Sequence, residues 1–284
     1  MCLAMTGLVP GLYVVATPIG HLEDLSPRAL RVLGEAAVVA AEDTRTSGKL
    51  LKLAGSRARM VSLTEHNVGA RAPELLEAAR RGVVALVSDA GTPLIADPGA
   101  RLVEAAHVAG VPVVAIPGPS ALAAALSVSG FEARMVQFLG FLPRPPGERV
   151  KLLQKAASAA AVLVFFESPA RLSATLGELA TELGDPEVVV CRELTKVHEE
   201  AVRGRASELA PRFHTTRGEV TVVVRIEASA EVDDDEVRSY LGEMKRAGAR
   251  RSPAAAEAAR RFGIARQRAY ELWGEAEEAG TAGL

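Results

Sequence analysis

The stretch that decides the fold is residues 83–99, which read VVALVSDAGTPLIADPG. Its first five residues are apolar and mostly β-branched, and the run stops abruptly at Ser88 and Asp89. A short apolar run closed by turn formers such as Gly91 and Pro93 predicts a buried strand followed by a loop. In open parallel sheets, ligands bind beyond the carboxyl ends of the strands. We therefore expect this loop to contact a small molecule.

The composition limits the class of protein to which this loop can belong. The chain has 284 residues, of which 49% are hydrophobic and 24% charged, and its formal net charge is −2. This length allows two domains with buried cores, and the near-neutral charge means that a polyanionic partner must be bound by a local patch. Two cysteines and five scattered histidines predict neither a disulfide framework nor a metal site. We find neither a secretory leader nor a membrane-spanning run and expect a cytoplasmic protein.

Apolar runs alternate with helical patterns through the first half of the chain, and this alternation predicts βαβ units with a parallel sheet. The second half has strands with shorter connections, which favour a mixed sheet. We therefore predict an α/β fold with domains at residues 1–120 and 121–230 and a small helical extension at 231–284. The predicted strands are residues 12–16, 38–41, 60–63, 83–87, 111–116, 136–141, 161–166, 187–191 and 220–226.

The extension has helix signals of its own. Acidic residues 233–236 are typical of a helix N-terminus, where they complement the helix dipole. Ser252 and Pro253 predict the cap and first residue of the next helix, and Gly263 predicts its end. A further short helix at residues 265–273 would complete a pair that resembles a helix-turn-helix.

This extension is also strongly basic. Residues 245–268 contain eight lysines and arginines but only one acid, Glu257. Such a run is either a solvated helix face or a patch that binds nucleic-acid phosphates. In the second case, Arg250 and Arg251 are the candidate phosphate ligands.

Four predicted strand ends carry loops rich in proline and glycine. Glycine permits a close backbone approach and proline stiffens the chain, so each loop can present backbone groups to a ligand at little entropic cost. A single loop of this kind is explained as an ordinary tight turn. We expect all four, however, to meet at one sheet edge, which unrelated turns would not explain. Neither a Rossmann nor a P-loop glycine pattern is present, so a nucleotide-phosphate loop is not predicted. The four loops are residues 17–20, 89–99, 117–120 and 167–169.

Several of these segments together resemble one family. The series LYVVATPIGHLEDLSPRAL, AEDTRTSGKLL, EHN, ALVSDAGTPLIADPGARLV, IPGPSALAAALSVSG, FLGFLPR, FFESPARL and RELTKVHEE occurs in order over residues 10–227. It is similar to the ribosomal RNA small subunit methyltransferase I family, which has a tetrapyrrole-methylase-like fold. The resemblance implies two α/β domains of the tetrapyrrole-methylase type, S-adenosylmethionine bound in the cleft between them, and a homodimer. It also implies 2′-O-methylation of a cytidine ribose in the decoding region of small-subunit (16S) ribosomal RNA.

The resemblance carries over a set of cofactor-binding residues. Loop residues that match the family's motifs are expected to line the cofactor, and the residues at the start of the last strand are expected to face its adenosine end. The chain departs from the family's pattern at His21, where asparagine is usual, and at residues 94–96, where a Gly-Ile-Ser-like run is common. The expected cofactor-binding residues are Pro18, Asp89, Thr92, Ser120 and Ala121, with Glu219 and Thr221 at the adenosine end.

Methylation of a ribose hydroxyl also calls for a base, because a neutral alcohol is a poor nucleophile. The candidate catalytic residues are Asp43, His66 and Glu167, with Glu65 as a further possibility. We expect Asp43→Ala and Glu167→Ala to retain cofactor binding but lose methyl transfer. The alternative is that Asp43 with Arg45, or Glu167 with Arg171, are simply ion pairs. The cations expected to hold RNA phosphates are Arg45, Arg144, Arg171 and Lys196, besides Arg250 and Arg251.

Two other functions stay open from the sequence. A tetrapyrrole (precorrin-type) C-methyltransferase shares the fold, but its small macrocyclic substrate would not require the basic extension. A non-catalytic RNA-binding or assembly protein would explain the extension but leaves the loops without a ligand.

Overall fold

A computed structural model describes residues 7–215, 217–226 and 234–276 of the chain. Contacts divide it into two compact units. The first unit runs to Ala124 and also includes Leu194–Val197. The second contains Ala125–Glu193 and the described residues from His198 onwards.

The first unit is built on a five-stranded parallel sheet. Its strand order is β3-β2-β4-β1-β5, and every neighbouring pair is parallel. Alternate residues of the strands belong to two hydrophobic clusters, one containing Leu12 and Val84, the other Tyr13 and Ala85. Both faces are therefore covered, as is usual for a parallel sheet. The strands are β1 Gly11–Val15, β2 Val38–Ala41, β3 Arg59–Ser62, β4 Val83–Val87 and β5 Val113–Ile116, and the helices are α1 Pro27–Glu35, α2 Thr44–Leu53, α3 Val68–Arg81 and α4 Ala100–Val108.

The second unit has a mixed sheet of order β6-β7-β10-β8-β9, in which only β6 and β7 are parallel. One core cluster packs against it and includes Phe165, Leu176 and Val222. The α5 helix, Ala121–Ser129, begins in the first unit and ends in this one. The other elements are β6 Val136–Phe141, α6 Pro146–Ala157, β7 Val162–Glu167, α7 Pro169–Glu182, β8 Glu187–Arg192, β9 Glu200–Arg205, α8 Ala206–Arg212 and β10 Val220–Arg225.

The basic extension forms three helices with a core of their own. These are α9 Asp234–Arg246, α10 Arg251–Phe262 and α11 Arg266–Glu275, and they enclose a cluster that includes Leu241, Ala255 and Trp273. Gly263 ends α10 in the left-handed conformation, as predicted. The α10 helix begins at Arg251, two residues earlier than predicted, and Arg250 rather than Ser252 occupies the N-cap position. The predicted helix start at Asp233 lies outside the described residues.

The α/β class is confirmed, and so is the mixed sheet of the second half. One strand was missed by the sequence analysis. β9 has the sequence EAVRGR, and its residues alternate between half-buried and exposed at the edge of the sheet. Few apolar residues are needed in an edge strand with one solvated face, so the apolar pattern that located the other strands is absent here.

Candidate functional site

The carboxyl ends of β1–β5 lie at one edge of the parallel sheet, and three of the four predicted loops extend from that edge. They are residues 17–20, 89–99 and 117–120. The fourth loop, residues 167–169, follows β7 in the second sheet. The expectation that all four loops meet at one sheet edge is therefore wrong, because the chain begins a second sheet after α5.

The three loops at this edge are tied together by hydrogen bonds. Thr17 and Gly91 exchange two backbone hydrogen bonds, with N···O distances of 2.8 and 3.0 Å. The buried Thr17 hydroxyl lies 3.3 Å from the carbonyl oxygen of Ser88. Thr92 donates its hydroxyl hydrogen to the carbonyl oxygen of Pro119 at 2.9 Å. These bonds fix the β1, β4 and β5 loops in advance, which lowers the entropic cost of binding a ligand.

The loop after β4 has an unusual backbone. Gly91 and Gly99 have positive φ angles, and so do Leu94 at 71° and Ala96 at 70°. The left-handed conformation costs a residue with a side chain about 1 kcal/mol or more. Residues 94–96 depart from the family's usual Gly-Ile-Ser-like run, and this chain thus has Leu94 at a position where glycine would fit the backbone best. Strain of this kind often accompanies functional sites.

A pocket of about 350 Å³ lies in the first unit beside these loops. Ser120 lines it, as predicted for a cofactor-binding residue, and Ala121 begins α5 directly afterwards. Pro18 is buried next to the lining residue Ile19. Small-molecule pockets typically span about 300–1,000 Å³, with mostly apolar walls and a few polar groups. The lining residues are Ile19, Asp24, Gly118, Pro119, Ser120, Ala124 and Thr195, of which Asp24 and Thr195 were not singled out from the sequence.

The other predicted cofactor residues lie at two places. Asp89 is exposed at the carboxyl edge of the first sheet, where its Oδ1 accepts the backbone N–H of Asp43 at 3.0 Å. Glu219 and Thr221 belong to the second unit, at the start of β10. Glu219 is exposed, whereas Thr221 is buried within the strand.

Two acidic residues that the sequence analysis did not select join this edge. Burial raises the pKa of Glu42, and the negative charges of the nearby Asp89 and Glu65 carboxylates raise it further. Burial, together with Glu42 and Asp89, raises the pKa of Asp97 to about 6 against a weaker opposing hydrogen bond from Ser88. Both residues lie within motifs that were recognised, but only the fold shows that their carboxylates are close enough to interact.

Asp97 makes the stability of the protein depend on pH. Between the ordinary aspartate pKa of 3.8 and about 6, the folded protein keeps a proton that the unfolded chain has lost. Stability therefore falls as pH rises through this window. We expect Asp97→Asn to be more stable than the wild type at pH 8 by about 1 kcal/mol, a value reduced for the screening that solvent provides at this partly exposed group.

Urea unfolding at pH 4 and pH 8 measures this effect. The gain in Asp97→Asn is expected at pH 8 and should disappear at pH 4. Glu104→Gln, which changes an exposed acid on α4, is the control and should show no gain at either pH. An equal gain for Asp97→Asn at both pH values would contradict a titration effect.

The candidate base Asp43 is the N-cap of α2. Its Oδ1 accepts the Arg45 backbone N–H at 2.8 Å, and its Oδ2 pairs with the Arg45 guanidinium at 3.2 Å. The hydrogen bond from Arg45 lowers the pKa of Asp43. His66 and Glu65 are exposed in the turn between β3 and α3. The first unit thus brings these three candidates and the Asp89 loop to the same sheet edge.

Glu167 lies in a different setting, at the end of β7 in the second unit. Its side chain is fully buried and accepts hydrogen bonds from Ser168 N at 2.5 Å and Thr175 Oγ1 at 2.9 Å. It also pairs with the Arg171 guanidinium at 2.5 Å. Arg171 in turn donates to the carbonyl oxygen of Leu142. These contacts favour the ion-pair interpretation for Glu167 and Arg171 over roles in proton transfer and phosphate binding.

The remaining predicted RNA ligands differ in exposure. The Arg45 side chain is 91% exposed, and Arg144 is also exposed. Lys196 is half-buried in the segment that packs with the first unit. Arg250 and Arg251 are exposed at the N-terminus of α10.

The described residues contain neither a cluster that could hold a metal ion nor a helix that could cross a membrane. Within residues 7–215, 217–226 and 234–276, no three His, Cys, Asp or Glu side chains are arranged to hold a metal ion. In the same ranges, no helix has the length and apolar character that crossing a membrane requires.

The fold and the pocket define the class: an α/β protein with a pocket beside the loops at the carboxyl edge of a parallel sheet. Residues 11–210 match the family model of the tetrapyrrole (corrin/porphyrin) methylases. Solved structures with this fold include a uroporphyrin-III C-methyltransferase from Thermus thermophilus complexed with S-adenosylhomocysteine, at 22% identity and a TM-score of 0.53. The matched region covers 76% of this chain and 97% of the methyltransferase chain. A diphthine synthase has a TM-score of 0.59 at 19% identity, with 75% and 89% covered.

Proteins with similar sequences identify the family within this class. A ribosomal RNA small subunit methyltransferase I from Mesorhizobium japonicum is 44% identical over 93% of this chain and 91% of its own length. The protein of that name from Thermotoga maritima is 44% identical over 75% of this chain and 97% of its own. The one from Mycobacterium tuberculosis is 48% identical over 74% and 75%. This chain belongs to the tetrapyrrole methylases and, among them, to the ribosomal RNA small subunit methyltransferase I family.

Proposed function

We propose that this protein uses S-adenosylmethionine to methylate the 2′-hydroxyl of a cytidine ribose in the decoding region of small-subunit ribosomal RNA. The observation that carries the proposal is the 44% identity to a ribosomal RNA small subunit methyltransferase I over nearly the whole of both chains. The proposed substrate places the enzyme in the cytoplasm with the ribosomal subunits.

The residues of the first unit fit this cofactor. The pocket volume of about 350 Å³ lies in the usual range for a small-molecule site. S-adenosylmethionine carries positive charges on sulfur and nitrogen, which the Asp24 and Asp89 carboxylates complement, whereas the α5 N-terminus at Ser120 suits its carboxylate. We propose that Pro18, Asp89, Thr92, Ser120 and Ala121 hold the cofactor and that Glu219 and Thr221 contact its adenosine end.

When bound, the cofactor supplies a methyl group on a sulfonium for in-line transfer to a nucleophile. The protein's part is then chiefly to align the reacting groups, which can supply several kcal/mol. The hydrogen-bonded loops around Thr17, Gly91 and Pro119 are suited to that task because their geometry is set before the ligand binds.

The ribose hydroxyl becomes a good nucleophile only when its proton is accepted. Asp43 and His66 lie at the carboxyl edge of the first sheet and remain the proposed catalytic residues, with Glu65 beside them. The raised pKa of Glu42 makes its carboxylate a stronger base than an ordinary one. Glu167, as its contacts indicate, is better suited to fixing Arg171 and the β7 end than to accepting a proton.

Labelled S-adenosylmethionine tests the function directly. Small ribosomal subunits and free small-subunit RNA from a strain lacking the enzyme are incubated with the protein, and the labelled nucleotide is mapped. The expected product is a single cytidine whose 3′ phosphodiester resists alkaline hydrolysis, because the neighbouring 2′-hydroxyl is blocked. Label on a base would contradict the ribose assignment, and no transfer to RNA would overturn the proposed function.

The two alternative functions have less support. Methylation of a tetrapyrrole rests on solved structures of tetrapyrrole methyltransferases at 20–24% identity, a level at which the likeness shows the fold alone. A non-catalytic assembly protein would not require the pocket and its connected loops.

We also propose a homodimer. The second unit exposes an apolar surface around β6, an edge strand that pairs only with β7 in the described sheet. Phe138 and Phe141 stack edge-to-face on Phe166 here, at 5.0 and 5.4 Å between ring centroids. Large exposed apolar surfaces usually mark interfaces, and a two-fold dimer would bury this one against its own copy. The exposed apolar residues of β6 and of the position before it are Met135, Val136 and Phe141.

Sedimentation equilibrium checks the dimer. The wild type is expected at twice the 29.7 kDa chain mass. The double variant Met135→Glu/Phe141→Glu should sediment as a monomer, because two charges cannot be buried unpaired in an apolar interface. Val108→Glu, at an 86% exposed site on α4, should stay dimeric. A monomeric wild type would contradict the proposal.

A further inference from the structure

A four-residue segment, Leu194–Val197, packs with the first unit although the chain on either side of it belongs to the second. We call it the strap. It lies against the loop after β1, where the backbone N–H of His21 donates to Thr195 Oγ1 at 3.1 Å. The sequence positions of the two partners differ by 174 residues. No local pattern therefore pointed to this contact.

Gly20 makes the close approach of the strap possible. A Cβ at this position would lie 2.5 Å from Lys196 Cγ, 2.6 Å from Thr195 Oγ1 and 3.1 Å from the carbonyl oxygen of Leu194. The Lys196 side chain can bend away, but the Leu194 carbonyl oxygen belongs to the backbone of the strap, and Thr195 Oγ1 is held by its hydrogen bond from the His21 N–H. Glycine is thus needed here for space and not for its freedom in φ.

The strap and the residue that precedes it have a strained backbone. Glu193 and Thr195 have φ angles of 52° and 65°. A β-branched residue such as threonine rarely adopts this region. Glu193 is fixed by its own contact, since its carboxylate accepts the Glu219 backbone N–H at 2.9 Å. Backbone strain persists only where the surroundings enforce it, and it is concentrated at ligand clamps and active sites.

Thr195 is also one of three polar residues that line the pocket, together with Asp24 and Ser120. Gly118 and Pro119 of the β5 loop also line the pocket. A few polar groups in a mainly apolar pocket usually fix the orientation of the ligand. The strap therefore brings a hydroxyl to the pocket wall and is positioned there by Gly20.

We propose that the strap is a wall of the cofactor site and that the Thr195 hydroxyl is a binding contact for S-adenosylmethionine. The inference rests on the proposed function, because it takes the pocket to be the cofactor site. It assigns Thr195 and Gly20 roles that no motif suggested: Thr195 contacts the cofactor, and Gly20 positions the strap.

Calorimetry with S-adenosylhomocysteine on the full chain tests the proposal. Thr195→Val keeps the shape of the side chain but removes the hydroxyl, and it is expected to weaken binding about tenfold or more. Thr195→Ser keeps the hydroxyl and should bind within about twofold of the wild type. Gly20→Ala should also weaken binding, because its methyl group displaces the strap. Matched controls are Thr181→Val on α7 and Gly48→Ala on α2, where a Cβ meets no atom within 4 Å; both should bind normally.

A further variant separates binding from folding. Thr195→Gly relieves the left-handed strain, so it is expected to raise the melting temperature while it still weakens binding. Unchanged affinity in Thr195→Val or Thr195→Gly would overturn the role of the strap. If the wild type itself fails to bind S-adenosylhomocysteine, the proposed function fails, and the strap proposal fails with it.

Discussion

Replacing Glu167 by alanine is expected to lower the free energy of unfolding by about 3 kcal/mol. The carboxylate is fully buried and accepts hydrogen bonds from Ser168 and Thr175 besides pairing with Arg171. Its removal leaves the hydroxyl of Thr175 without this acceptor and leaves Arg171, which is only 23% exposed, without its counter-ion. Uncompensated buried charges of this kind are among the most destabilising changes in proteins.

Urea unfolding of the variant measures the loss. Glu74→Ala is the matched control, because Glu74 also pairs with arginines, Arg59 and Arg71, but at an exposed site. Exposed ion pairs contribute about 1 kcal/mol at most, so the control should lose far less. The double variant Glu167→Ala/Arg171→Ala should recover part of the loss, because it no longer leaves a lone cation. A Glu167→Ala protein of normal stability that binds cofactor but does not transfer methyl would instead support the catalytic role.

This pair also shows what the sequence could and could not decide. Glu167 and Arg171 are four residues apart, and the possibility of an ion pair was evident from that spacing. Whether the carboxylate is a base or a structural partner depends on its burial and on donors such as Thr175, eight residues away. Those facts follow only from the packing of α7 on β7.

The stretch at residues 83–99 was predicted well. It forms the central strand β4 and the loop at the carboxyl edge, as its apolar run and turn formers indicated. The left-handed backbone at Leu94 and Ala96 was not foreseeable, because leucine and alanine give no signal for that conformation. The partners of this loop, Thr17 and Pro119, come from distant strands, and only the strand order brings them together.

In the helical extension, the sequence showed the excess of cations but not which of them are neutralised. Arg266 and Arg268 on α11 pair with Glu182 and with Asp234 and Glu271. Within the described part of the chain, four arginines of the α9–α10 region have no acidic partner: Arg246, Arg250, Arg251 and Arg261. A recognition helix at α11, as in a helix-turn-helix protein, would use cations that are already paired. The α9–α10 side is therefore the better candidate for a phosphate-binding surface.

Two of these arginines are also held in place by aromatic rings. The Arg251 guanidinium lies 5.2 Å from the Tyr270 ring centroid and donates to the Tyr270 carbonyl oxygen at 2.9 Å. Arg261 lies 4.5 Å from the Tyr240 ring. A guanidinium stacked on a ring keeps its charge and loses little entropy when it binds a phosphate. This favours the nucleic-acid interpretation of the extension over a merely solvated face.

Arg250→Ala/Arg251→Ala is accordingly expected to weaken binding of small-subunit ribosomal RNA about tenfold at low salt and to reduce the slope of log affinity against log salt by about one to two. When a phosphate contact is lost, RNA binding releases fewer counter-ions. The slope therefore reports the number of phosphate contacts and not the folding of the protein. The control Arg238→Ala/Arg260→Ala removes the same charge from arginines that are paired with acids, Asp235 and Glu275 for Arg238 and Glu257 for Arg260. It should leave the slope nearly unchanged. Fluorescence anisotropy over a series of salt concentrations, with thermal unfolding of each variant, decides the matter: equal slopes for both double variants would mean that α9–α10 is only a solvated face.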